Sequence, residues 1–313
     1  MQHLLTLSDW TSECMIETLD LAAEIKAHPG RFADVMQRKT LLMIFEKPSL
    51  RTRLSFETGM TQMGGHAIYY DTSQSPMGAG KETLHDTAKT FSRYVDIVMA
   101  RLFRHADLEE IATYATIPVI NALTDMAHPC QILADLQTIR EKKGALAGLK
   151  LTYLGDSYNN VTHSLMVGCA MAGMHIAIGC PKGDEYEPAP EFVTATRALA
   201  EKAGVRVDIY HDAMQAASGA DVVYTDSWMS YHIPKEKLEG RVKVFMPYQV
   251  NEAVMQHAAR DAIFMNCLPA MRGYEQTSGV IDGPQSVVFD QAENRLHAQK
   301  AVLLTLMRLA GRL

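Results

Sequence analysis

Five short polar clusters in this 313-residue chain carry side chains able to act on a charged ligand. The first is Ser49-Leu50-Arg51-Thr52-Arg53, where an apolar run gives way to a helical pattern. A helix start offers unpaired N–H groups and positive potential to an anion. Two hydroxyls and two guanidinium groups add charge-assisted hydrogen bonds in the fork geometry that phosphate accepts. The plainer alternative is a capping Ser49 beside solvated arginines. The second cluster, Asp125-Met126-Ala127-His128-Pro129-Cys130-Gln131, precedes another helix, with Pro129 as a start signal and Cys130 suited to core packing. The third is Gly155-Asp156-Ser157-Tyr158-Asn159-Asn160, with one glycine where a dinucleotide fingerprint needs three. Its asparagines suit either a zwitterion's carboxylate or plain turn chemistry. The fourth, Thr225 to Ser230, offers Asp226 for an ammonium group, and the fifth, Asn266 to Gly273, offers Cys267 as polar lining.

The elements that must hold these clusters alternate strand and helix. In the first half strands are expected at 40–47, 66–71, 96–101 and 118–123, and helices from Ser8 to Lys26, over 50–65, 83–94, 106–115 and 129–144. The rhythm restarts at Leu149, with strands in LKLTYLGD, HIAIGCP, RVDIYH, DVVYTD and AIFMNCLP. Short apolar runs separated by helical patterns of 10–15 residues indicate crossover units and parallel sheets. The expected architecture is α/β, two doubly wound parallel-sheet domains with an active-site cleft between them. Residues 1–144 form the first and 145–290 the second, with the boundary in the Lys142–Lys150 stretch. An amphipathic helix over 291–313 returns to the first domain. All five clusters then stand at the carboxyl ends of strands, where ligands of such sheets bind.

Composition narrows the functional classes. At roughly 150 residues per domain the length suits two domains. A net charge of −6 gives no overall basic field for nucleic acid. The five cysteines are widely spaced with no CxxC pair, which reads as reduced thiols in a cytoplasmic protein. The opening residues lack a signal-peptide pattern. The most apolar stretch, Leu165 to Cys180, is too short and too interrupted by glycine to span a membrane.

Taken together, FEKPSLRTRLSFE at 45–57, HPCQILADLQT at 128–138 and DQAENRLHAQKA at 290–301 resemble the aspartate/ornithine carbamoyltransferase family, most closely its ornithine branch. The resemblance runs nearly the whole chain. It implies transfer of the carbamoyl group of carbamoyl phosphate to the side-chain amine of L-ornithine, giving citrulline and phosphate in arginine metabolism. It implies no metal and no cofactor, and a homotrimer or multiple of trimers with sites between subunits. By the same resemblance Ser49, Leu50 (through its N–H), Arg51 and Thr52 cradle the phosphate, and Arg101, His128 and Thr52 polarise the carbamoyl oxygen. Gln131 and the Leu268 carbonyl hold the carbamoyl nitrogen, and Arg295 reaches the same ligand from the C-terminal helix. Asn160, Asp226, Ser230 and the Tyr231 backbone bind the amino acid, with Cys267 near the attacking amine.

The sequence departs from the family pattern in four places. Leu50 replaces a threonine but keeps the backbone donor. The loop Gln74 to Glu82, which in the family reaches a neighbouring subunit, has no clear match for the usual glutamine. Ser230-Tyr231-His232 replaces Ser-Met-Gly, and Asn266 and Met271 replace two histidines. The last two changes leave open a carbamoyltransferase acting on another amine. A non-catalytic paralogue that binds carbamoyl phosphate is a third reading, against which the Arg51, Thr52, Arg101, His128 and Arg295 set argues.

Overall fold

The structure is a computed structural model that describes residues 3–77, 80–229 and 233–313, apart from the side chains of Gln74 and Lys235. The chain divides into two compact units, Met1–Gln137 with Glu293–Leu313, and Thr138–Ala292.

The first unit holds a four-stranded parallel sheet in the order β2-β1-β3-β4. Its strands are β1 (Thr40–Phe45), β2 (His66–Asp71), β3 (Ile97–Arg101) and β4 (Val119–Leu123). Its helices are α1 (Ser12–Ala27), α2 (Leu50–Gln62), α3 (Leu84–Phe91), α4 (His105–Tyr114) and the start of α5 (Pro129–Lys143). The runs IVMAR and VINAL are buried almost without a break, as strands covered on both faces are. Strand β2 is an edge and alternates exposed with half-buried residues at its start.

The second unit carries a five-stranded parallel sheet, β7-β6-β5-β8-β9. The strands are β5 (Lys150–Leu154), β6 (His175–Gly179), β7 (Val207–Tyr210), β8 (Val222–Thr225) and β9 (Ile263–Asn266). Helices α6 (Asn160–Met171), α7 (Pro190–Ala203), α8 (Ala213–Ala217), α9 (Leu238–Phe245), α10 (Glu252–His257) and α11 (Ser278–Ile281) accompany them. The long α12 (Val288–Leu309) begins here and ends in the first unit. There Thr305 lies 3.2 Å from Thr18 of α1, and Lys26 Nζ donates to Asn294 Oδ1 at 2.9 Å. The apolar stretch from Leu165 is α6 running into β6, and α6 is buried on every side from Val161 to Ala170. Among the described residues no helix is long and apolar enough to cross a membrane.

In both sheets the order reverses direction once, between β1 and β3 and between β5 and β8. Crossovers leave opposite faces at such a point and open a crevice at the strands' carboxyl ends. Those ends carry Lys47 to Arg51 and Arg101 in one unit, and Gly155 to Asn160 and Asp226 in the other.

The opening helix starts later than expected. Thr11, not Ser8 or Asp9, is its N-cap and accepts from Cys14 N at 3.2 Å. Asp9 instead closes a short 3-10 turn, its carboxylate accepting from the Leu5 and Thr6 amides. Strand β1 stops at Phe45 because Pro48 cannot extend it and Ser49 already caps α2.

Candidate active site

In the first unit, Ser49 is the N-cap of α2, and its Oγ accepts from Thr52 N at 3.3 Å. The Ser49 hydroxyl also lies 3.0 Å from Thr52 Oγ1. Parallel register sets Phe45 of β1 beside Arg101 of β3, and Arg101 beside Leu123 of β4. The loop after β4 then delivers His128 at the mouth of α5. Thr124 shapes that loop, accepting from Ala127 N at 3.3 Å and lying 2.8 Å from His105 Nδ1. From α12, Arg295 Nη1 donates to Gln131 Oε1 at 2.6 Å and Nη2 to Thr52 Oγ1 at 3.4 Å. Gln131 Nε2 donates to Asp135 at 2.8 Å, so its amide is fixed at both ends. Its oxygen keeps a second lone pair.

Arg101, His128, Gln131, Thr52 and Arg295 are all buried, and Ser49 and Arg51 are half-buried. His128 is held well below the ordinary imidazole value, first by burial, then by Arg295, Arg101, Lys47 and Arg51. It is neutral at physiological pH and sits in the field of four cations. Burial also pushes the Lys47 ammonium down to about 8, with Arg101 adding to the effect against Asp125 and Glu46. Such a concentration of positive charge is costly in a buried site and suits an anion with several acceptor oxygens. Cys130 is a different case: burial raises its thiol to about 12, which makes it inert packing.

The second unit gathers carboxylates instead. Asp226 follows β8, and Cys267, following β9, donates its thiol to Asp226 Oδ1 at 3.1 Å. Asp156, at the end of β5, is ion-paired with Arg241, whose Nε donates to Trp228 O at 2.6 Å. Burial still raises Asp156 to about 7. Glu275 accepts from Trp228 N at 3.3 Å and Met271 N at 2.9 Å, yet burial lifts it too to about 7, with Asp226 contributing. Gly155 is required here: its φ is +121°, and a Cβ would stand 2.8 Å from the Trp228 indole nitrogen. Leu268 has φ 56°, a left-handed backbone that costs a branched residue roughly 1–2 kcal/mol. Asn266 holds it there, its Oδ1 accepting from Leu268 N at 2.7 Å.

Two family models match the chain. The carbamoyl-P binding domain of aspartate/ornithine carbamoyltransferase matches residues 2–141, and the Asp/Orn binding domain of the same family matches 147–306. The chain belongs to the aspartate/ornithine carbamoyltransferase family. An ornithine carbamoyltransferase of Anoxybacillus flavithermus is 51% identical over 98% of this chain and 96% of its own. One from Thermococcus kodakarensis is 49% identical over the same shares. The solved ornithine carbamoyltransferase of Pyrococcus furiosus superposes with a TM-score of 0.93 at 47% identity, covering 98% of this chain and 97% of that one.

Against the carbamoyltransferase pattern, the structure sorts the residues singled out from sequence. It brings Ser49, Thr52, Gln131 and Arg295 into one hydrogen-bonded group, with Arg51, Arg101 and His128 in its field. It pairs Asp226 with Cys267 and sets Asn160 at the start of α6, on the strand beside Asp226's. Ser230 and Tyr231, and with them His232, lie outside the described residues. The second arginine of the first cluster is corrected: Arg53 stacks over Tyr69 at 4.0 Å and pairs with Glu57, so it is not part of the anion site. Asn159 serves as the α6 N-cap, which leaves Asn160 as the asparagine available to a ligand. Leu50 contributes only backbone, since its side chain is 68% exposed. Sequence reading passed over Lys47, Asp156, Arg241 and Glu275. Lys47 carries a signal, lying two residues before a capping serine, whereas Arg241 and Glu275 are far from Asp156 in sequence. The carbamoyltransferase departure at Asn266 is a structural one: the side chain is fully buried and donates to Gln276 Oε1 at 3.0 Å.

Proposed function

We propose that this protein is an ornithine carbamoyltransferase that joins the carbamoyl group of carbamoyl phosphate to the side-chain amine of L-ornithine, releasing citrulline and phosphate. The observation that carries the reading is neutral, buried His128 facing Lys47, Arg51, Arg101 and Arg295. Such a site suits carbamoyl phosphate and the charge that grows on it. Ser49, the Leu50 N–H, Arg51 and Thr52 bind the phosphate, and Arg295 reaches the same ligand. Arg101, His128 and Thr52 donate to the carbamoyl oxygen as it becomes anionic; one such donor is typically worth ~10²–10³ in rate. The free lone pair of Gln131 and the Leu268 carbonyl accept from the carbamoyl nitrogen. Asp226 takes the α-ammonium and Asn160, with Ser230 and the Tyr231 backbone, completes amino-acid binding beside Cys267.

The attacking amine is neutral. Its lone pair forms the new C–N bond, the C–O bond to phosphate breaks, and the amine's proton leaves. We place the enzyme in the cytoplasm, in arginine metabolism, as a homotrimer or a multiple of it. Exposed Leu50 and Leu54 on one face of α2 and Ile68 on edge strand β2 support self-association. The test is citrulline formation from carbamoyl phosphate and L-ornithine, with putrescine and acetylornithine run beside it. Ornithine should give the highest kcat/KM; a higher value with another amine, or no carbamoyl product at all, overturns the reading.

A further inference from the structure

The anion site contains one cation that the mechanism above leaves without a role. Lys47 is 7% exposed, at the end of β1, with its Nζ 4.8 Å from the centre of the Phe103 ring. The charged groups facing it come from three segments: Arg101 from β3, Asp125 from the loop after β4, and Glu46 beside it in the chain. Both acids also accept backbone hydrogen bonds, Glu46 from Phe103 N at 2.6 Å and Asp125 from His105 N at 2.9 Å. Lys47 in turn adds to the field at His128. Three of the four cations in that field are guanidinium groups, which keep their charge at any working pH. Only the ammonium can lose its charge under mild alkaline conditions.

We propose that Lys47 is a further residue of the anion site and that its protonation sets the alkaline limit of carbamoyl phosphate binding. The inference rests on the reading that the first unit binds this substrate. A bound dianion holds the proton on Lys47, so binding and protonation favour each other. In the free site burial lowers the ammonium to about 8. Affinity therefore falls about tenfold between pH 7 and 9, as the proton must be taken up again on binding. His128 is neutral across this range and adds nothing to the limb.

The experiment measures kcat/KM for carbamoyl phosphate at saturating ornithine from pH 7 to 9.5, because this ratio reports ionisations of the free enzyme. The parent is compared with Lys47→Arg and Lys47→Met, each checked by circular dichroism. The parent should lose about tenfold between pH 7 and 9. Lys47→Arg should remove that limb, and Lys47→Met should start at least about tenfold lower at pH 7 and stay flat. Should Lys47→Met not fold, Lys47→Arg alone decides. A limb that survives in a folded variant, or a Lys47→Met value within twofold of the parent, overturns the proposal. Absence of citrulline from the parent at every pH would instead defeat the reading on which it rests.

Discussion

Replacing Arg295 by methionine tests whether the returning helix supplies a ligand contact or only closes the fold. The side chain is 3% exposed and makes one short bond, 2.6 Å to Gln131, and one long one, 3.4 Å to Thr52. Losing the short bond leaves Gln131 Oε1 without that donor, at about 1–3 kcal/mol. Methionine also spares the cost of burying a charge, so the unliganded protein should melt within a few degrees of the parent. Carbamoyl phosphate gains no such relief. A charge-assisted hydrogen bond to an anion is worth about 1.5–3 kcal/mol, so its KM should rise roughly 10- to 150-fold. Arg295→Lys separates charge from shape, since one ammonium cannot span both acceptors as the guanidinium fork does. It should fall between methionine and the parent. Arg295 is also the largest charge holding His128 down, so an NMR titration should find that imidazole moved toward its ordinary value in Arg295→Met. A folded Arg295→Met with KM within threefold of the parent would refute the assignment.

Glu275→Gln is expected to become more stable relative to the parent as pH rises. The folded carboxyl titrates near 7 against an ordinary 4.5, so the native parent holds an extra proton between those values and loses stability as pH climbs through 7. The difference in unfolding free energy should shift by up to about 3 kcal/mol between pH 4 and 8, offset at all pH by one lost acceptor. Urea melts across that range check it, and a pH-independent difference refutes it. Leu50→Thr restores the hydroxyl usual in the family at a position 68% exposed, and should leave KM for carbamoyl phosphate within about twofold and stability within about 0.5 kcal/mol. A tenfold gain in affinity would show that the missing hydroxyl matters.

What could be read from sequence divides along a physical line. Strand runs such as IVMAR and VINAL are legible because a parallel strand buried on both faces must be apolar throughout, whatever else surrounds it. The clusters at strand ends are legible because caps, prolines and hydroxyls mark where a helix begins, as Ser49 and Pro129 do. Helices α9 to α11 are not, being only 4–8 residues long, too short for a periodic pattern to emerge. Nor does local pattern distinguish Arg51 from Arg53. Both follow the same cap, and only the Tyr69 ring on β2 and Glu57 one turn on decide that Arg53 faces away. The Asp156–Arg241 pair and the Glu275 contacts join residues 47 to 85 positions apart, a separation no window can span.

The two units handle the same difficulty, charge taken out of water, in opposite ways, and the contrast bears on what each can bind. In the first, the one titratable imidazole is kept neutral and the surrounding cations persist, leaving a field for an incoming anion to cancel. In the second, the negative charge is largely spent internally. Arg241 pairs with Asp156, while Glu275 drifts to the edge of neutrality between two backbone donors. Asp226 is the carboxylate left half-exposed, touched by a thiol rather than paired with Arg241. A thiol is a weak donor and cannot offset a full charge. On the proposed reading the α-ammonium of the amino acid does so. An acylated nitrogen carries no charge and would bury Asp226 uncompensated, at several kcal/mol, which is why a free α-amino acid fits this site better than its acetylated derivative.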